Sequence, residues 1–163
     1  MSGGPSAAPP LAPAPLATRA GAWILDLAVA VLAGAVLWLP GVWIVVSRGT
    51  WTDQADGTVA LESAPAAGLA LIGAGALVQL FAMLWNQGLR QGRTGRSLAK
   101  DRMGLATVDP RTGAPIGAAR GVLRWLAAAV FGSLCLLTYL WAVVDGRHRA
   151  WHDLLAGSLV VRD

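Results

Sequence analysis

Asp26 is the first residue in this chain placed to do chemistry, because it interrupts the apolar run LATRAGAWILDLAVAVLAGAVLW (16–38). An ionised carboxylate at the centre of a membrane helix costs roughly 3 kcal/mol on insertion scales, so it faces protein or water rather than lipid. With three apolar segments threaded back and forth across a bilayer, Arg124 and Asn86 fall at a depth comparable to that of Asp26, and Gln79 lies two turns deeper. Such a cluster supports two readings. Asp26 supplies a hard oxygen ligand and a proton acceptor, with amide oxygens from Asn86 and Gln79, which is what exchange of a monovalent cation for a proton requires. Alternatively Asp26 and Arg124 form a structural ion pair, since an adjacent arginine repels a cation and lowers a carboxylate's proton affinity. Arg19 precedes Asp26 by about 10 Å along a helix, too far for a direct bond, and reads as a headgroup anchor.

Other chemistries fit less well. His148 and His152 have i, i+4 spacing and with Asp153 could form a metal site on a helix, but Arg147 and Arg149 oppose a cation and no further ligand completes the set. The stretch GRTGRS (92–97) lacks the spacing of a phosphate loop. No Ser/His/Asp or Cys/His arrangement has a convincing context, and the single cysteine, Cys135, excludes an intrachain disulfide. The sequence therefore predicts neither an enzyme nor a bound cofactor or metal. An isoelectric point near 10.6 raises nucleic acid as a partner. The basic residues, however, concentrate beside apolar segments with Trp125 as the one adjoining aromatic residue, which argues against it.

The elements that position these residues follow from hydropathy. Charged residues make up 13% of the 163, about half the proportion usual in soluble domains. Three uncharged runs, Leu27 to Val46, Ala64 to Trp85 and Trp125 to Val144, are long enough to cross a hydrocarbon core, which takes roughly 20 helical residues. Trp23, Trp85, Trp125 and Trp141 sit near their ends, where the indole ring favours the headgroup boundary. Pro40 predicts a kink near the far end of the first helix.

Charge sets the orientation. The segment from Gln87 to Arg120 carries seven basic residues against Asp101 and Asp109, a net of +5, whereas Ser47 to Ser63 has a net of −2. The positive-inside rule places the first in the cytoplasm and the second outside, so the N-terminus is cytoplasmic. Three crossings then put the tail 145–163 outside despite Arg147, Arg149 and Arg162, although LATV (105–108) and SLVV (158–161) could pair if they shared a side. Pro and Gly make VDPRTGAPIG (108–117) a turn between extended pieces, and the loop arginines either set topology or attract anionic lipid headgroups at about 1 kcal/mol each. Ala66, Ala70 and Ala74, with Gly73 and Gly75 beside them, form a small face that permits close helix approach.

Arg19, Asp26, the loop GRTGRSLAKDRMGLATVDPRTGAPIG (92–117), the arginine of RGVLRWL (Arg124) and the terminal WHDLLAGSLVV (151–161) together resemble the RDD family of small bacterial membrane proteins. The resemblance implies that Arg19 and Asp26 are the first two signature residues and Asp153 the third, with Asp145 as a competing candidate. It implies transport as the usual suggestion, with exchange of sodium-like cations for protons in some members. The sequence departs from the family pattern at Ala99, where glycine is usual.

The expectation is thus an all-α integral membrane protein of a bacterial inner membrane. It has three transmembrane helices (about 20–46, 64–86 and 122–144), a partly folded basic cytoplasmic loop (87–120) and a tail (145–163), after a disordered Pro/Ala-rich leader (1–18). The leading function is transport or cation/proton exchange through Asp26, Arg124, Asn86 and Gln79, in a homo-oligomer or with a membrane-protein partner. The alternative is a non-transporting scaffold that docks a partner through residues 88–120.

Overall fold

The structure, a computed structural model, describes residues 12–134 and 137–162, and side chains outside 132–140. Among the described residues the elements follow in this order. Helix α1 (Leu16–Arg48) leads into a hairpin of β1 (Thr50–Asp53) and β2 (Val59–Ser63). Helix α2 (Ala66–Met83) then runs on through a π-helical segment (Leu84–Arg90) into α3 (Gln91–Thr94). Next come α4 (Leu98–Arg102), β3 (Leu105–Val108), α5 (Ala118–Leu134), α6 (Leu137–Val144), α7 (Trp151–Leu155) and β4 (Leu159–Arg162). They divide into two compact units, one of the chain up to Ile24 together with Asn86 onward, the other of Leu25–Trp85.

The Leu25–Trp85 unit holds the apolar bulk of two helices that are long and apolar enough to cross a membrane: Leu16–Arg48, whose 18-residue apolar stretch has a mean hydropathy of 2.3, and the continuous run Ala66–Thr94, whose corresponding stretch has 2.0. Their large side chains point outward. Leu32, Val36, Trp43, Leu77 and Phe81 are each about two-thirds exposed or more, which in water would be an aggregation surface and in lipid is the normal exterior. The helices meet through glycines. A Cβ on Gly34 would lie 2.6 Å from the Gly75 carbonyl oxygen, and one on Gly41 would lie 2.7 Å from that of Gly68. Each pair is separated by seven residues, two turns, so the antiparallel backbones touch at two successive levels. The expected small face is used only in part: Ala66, Ala70 and Gly73 are exposed and Ala74 is half-buried, while the contact falls to Gly75, which that face included, and to Gly68, which it did not. Helix α1 continues through Pro40 without a break.

The other unit is built around a small sheet. β3 and β4 pair antiparallel from Leu105↔Arg162 to Val108↔Leu159, and all four β3 residues are buried. Pro13 bridges to Val161 on the outer edge of β4 and Pro115 to Val108 on that of β3. Proline cannot extend a ladder, so both edges are closed. The Ala14 N–H donates to the Val160 carbonyl at 2.9 Å, two residues before α1 begins. Residues 12–18 of the expected leader 1–18 are therefore structured, and residues 1–11 lie outside the described residues. Ala14, Ala22, Ala99, Leu105 and Val160 form one buried cluster. Ala99 lies in α4, where a helix needs no glycine, which accounts for its departure from the family pattern.

Over the expected third span, 122–144, the described residues are helical up to Leu134 and again from Leu137, and residues 135–136 lie outside the described residues. The sheet corrects one expectation: the tail cannot lie opposite the basic loop. Paired strands sit about 4.8 Å apart, whereas the two faces of a hydrocarbon core are about 30 Å apart. Loop and tail share a side.

Candidate functional site

The same unit assembles a buried polar network from four remote stretches of chain. Asp153, on α7, has no exposed surface and sits at its centre. Its Oδ1 accepts from Arg124 Nε at 2.8 Å, while Oδ2 accepts from Arg19 Nη2 and, at 3.2 Å, from the Ala150 N–H at the start of α7. Arg19 also donates to the carbonyl of His148. One carboxylate therefore ties the start of α1, the second turn of α5 and the α6–α7 connection together. Burial works to raise the Asp153 pKa, but Arg124 and Arg19 outweigh it and hold the carboxyl well below the usual carboxylate range.

Around this pair lies a second layer of donors. The Gln91 amide, almost fully buried, is 2.7 Å from Arg124 Nη1 and 3.1 Å from both Lys100 Nζ and Thr107 Oγ1. With its oxygen turned toward the two cations it accepts from both. Lys100 Nζ also donates to Thr107 Oγ1 at 2.8 Å. His152, beside Asp153, has its Nε2 3.6 Å from Oδ1, beyond hydrogen-bond reach. Burial first and the charge of Arg124 second push its pKa down to about 3, so the imidazole is neutral at physiological pH.

Local sequence explains how these groups are presented. The π-helical segment puts one extra residue into a turn, and Asn86, Gln87 and Gly88 are buried along it. Asn86 Oδ1 accepts the Leu98 N–H at 2.9 Å and Ser97 Oγ accepts the Lys100 N–H at 3.3 Å, so two side chains satisfy the free N–H groups of α4. Gly121 lets α5 cross close by, since a Cβ there would lie 2.3 Å from the Gly88 carbonyl oxygen. Arg120 reaches from α5 to the carbonyls just past the end of α7, donating to Ala156 at 2.8 Å and Gly157 at 2.6 Å, and to Asp109 at 2.6 Å.

The residues singled out in the sequence are distributed between the two units. Asp26 lies on α1 in the Leu25–Trp85 unit, only 2% exposed. Gln79, in the same unit, packs half-buried over Gly34, two turns or about 12 Å along α1 from Asp26. Arg124 and Asn86 belong to the other unit, the first held by Asp153 and Gln91 and the second capping α4. Arg19 does more than anchor at headgroups, because it binds Asp153. Asp145, the competing signature candidate, is occupied locally: hydrogen bonds from Arg149, at 2.9 Å and 3.1 Å, hold its pKa down to about 2 against burial. His148 and His152 do not share a helix face, since α7 begins only at Trp151 and His148 has a φ of 54°. Among the described residues no group of three potential metal ligands converges. Gln91, Lys100 and Thr107 were not picked out in advance; the lone lysine in an arginine-rich loop was the available signal.

Two long apolar helices and a polar network buried beside a small sheet define a mostly helical membrane protein. The chain belongs to the RDD family, whose sequence profile matches residues 13–157. It is similar to the proline-rich antigen of Mycobacterium leprae, 35% identical over 71 residues, covering 44% of this chain and 28% of that protein. It is also similar to the proline-rich antigen homolog of Mycobacterium tuberculosis strain H37Rv, 30% identical over 79 residues, covering 48% and 33% respectively. The matched segments thus span a third or less of these curated relatives. No solved structure matches the chain.

Proposed function

We propose that this RDD protein transports a small solute across the inner membrane, most simply by exchanging a monovalent cation for a proton, with Asp26 as the titrating group. The observation that carries this reading is a carboxylate only 2% exposed, with no other charged residue between Arg19 and Arg48 on a helix long and apolar enough to cross the bilayer. Intramembrane carboxylates are costly and mark ion or proton pathways. Asp153 itself is unsuited to carry protons, being clamped between two guanidiniums.

Docking through residues 88–120 gains less support. Arg90 and Arg96 pair with Asp101 and Arg120 pairs with Asp109, while Lys100 is buried, so much of the loop's positive charge serves its own fold.

The purified chain in proteoliposomes, loaded with a pH-sensitive dye and given a sodium or potassium gradient, is expected to move protons in a cation-dependent way. Asp26→Asn should abolish that flux while leaving the yield of monodisperse protein unchanged. Cation-independent dye traces in the wild type, or full flux in Asp26→Asn, would overturn the proposal.

A further inference from the structure

Helices α5 and α6 present exposed apolar side chains, among them Leu126, Val130, Trp141 and Val143, yet the strands on either side of them are hydrogen-bonded to each other. β3 ends at Val108 and β4 begins at Leu159 directly opposite it. The number of complete crossings between those positions is therefore even. Two crossings would take about 40 helical residues, whereas α5 begins at Ala118 and α6 ends at Val144. That leaves none.

The contacts after α6 agree. Arg120 bonds Ala156 and Gly157, Arg124 bonds Asp153, and Phe131 meets Trp151 edge-to-face at 5.9 Å. Read along α5, the partners come in descending order, so α7 lies back along the helix that led the chain away from the sheet. The exterior is nonetheless greasy: Leu126, Val130, Trp141, Val143 and Leu155 are each about half exposed or more. The sheet itself is tied to the bilayer surface, because Ala14 on its edge precedes the first membrane-crossing helix by two residues.

We infer that the α5–α6–α7 segment is a one-leaflet insertion surface. It enters the bilayer and leaves it on the face that carries the β3–β4 sheet, and its apolar side chains contact the acyl chains of that leaflet alone. The occupant is lipid because the segment is flanked on both sides by a sheet held at the membrane surface and presents apolar side chains suited to hydrocarbon. With α1 and α2 as the complete crossings among the described residues, both ends of the described chain lie on one side.

Single cysteines in the full-length chain, with Cys135→Ser as background, separate the alternatives. An impermeant maleimide applied to one side of oriented vesicles should label Arg93→Cys and Arg162→Cys together, and Ala55→Cys only from the other side. Labelling of positions 93 and 162 from opposite sides would overturn the inference. Spin labels at Leu126→Cys and Val143→Cys should show oxygen accessibility well above that to a water-soluble nickel chelate, at depths within one leaflet. Equal access to the chelate, or protection from both reagents as at a protein contact, would also overturn it.

Discussion

Asp153 lies between Arg19 and Arg124 with no exposed surface, so its charge is a structural requirement rather than a variable. The sign of its pH dependence follows. A carboxyl whose folded pKa is depressed below 3.8 contributes stability above that value and loses it as the pH falls. His152 acts in the same direction from a higher starting point: the unfolded chain takes up a proton near pH 6.5, and the folded chain not until about 3, so protons favour unfolding throughout that interval. The melting midpoint in detergent is expected to be flat above pH 7 and to fall steadily from 6.5 downward. His152→Gln should flatten the upper part of that fall and leave the lower part, due to Asp153, intact; an unchanged slope between pH 6.5 and 4.5 would contradict the assignment. At this scale the sequence was informative about residue types and poor about partners. Asp153, Arg19, Asp26 and Arg124 all stood out, but Arg19 and Asp153 are 134 positions apart, and no local pattern encodes their meeting.

The helices were the most legible elements, because an apolar run of twenty residues has few alternatives, and α1 and α2 formed where hydropathy put them. What hydropathy could not supply was the contact face, since Ala and Gly score alike in lipid while only glycine lets two backbones touch. Gly75 and Gly73 provide the test. A Cβ at Gly75 would lie 2.7 Å from both the Gly34 carbonyl oxygen and the Trp38 nitrogen, whereas one at Gly73 meets nothing within 4 Å. Gly75→Ala should therefore destabilise the protein by about 1–3 kcal/mol, the usual cost of overpacking. Gly73→Ala should be neutral or stabilising by up to about 1 kcal/mol through helix propensity. Thermal unfolding of the two variants in the same detergent checks both, and equal effects would count against the glycine contact. The π-helical turn at Leu84–Arg90 was invisible in advance, as its sequence, LWNQGLR, continues a helical pattern and the extra residue is stabilised by tertiary partners such as Leu98.

For the molecule as a whole, one buried carboxylate and one two-stranded sheet bring the beginning, middle and end of the chain to the same place. The pairing of LATV with the terminal strand was anticipated only as a conditional, because counting apolar runs gave three crossings and put the strands on opposite sides. Hydropathy measures whether a segment tolerates lipid; it does not say whether the chain comes out where it went in. The central claim is that Asp153 and Arg124 act as one unit that closes the chain on itself, and a double-mutant cycle tests it most directly. Asp153→Asn and Arg124→Gln should each cost about 3–5 kcal/mol, as expected when one partner of a buried pair is removed. The double variant should fall short of their sum by about 2 kcal/mol or more, within the range for residues in contact. Additivity within about 0.5 kcal/mol, the behaviour of distant and independent sites, would contradict the account.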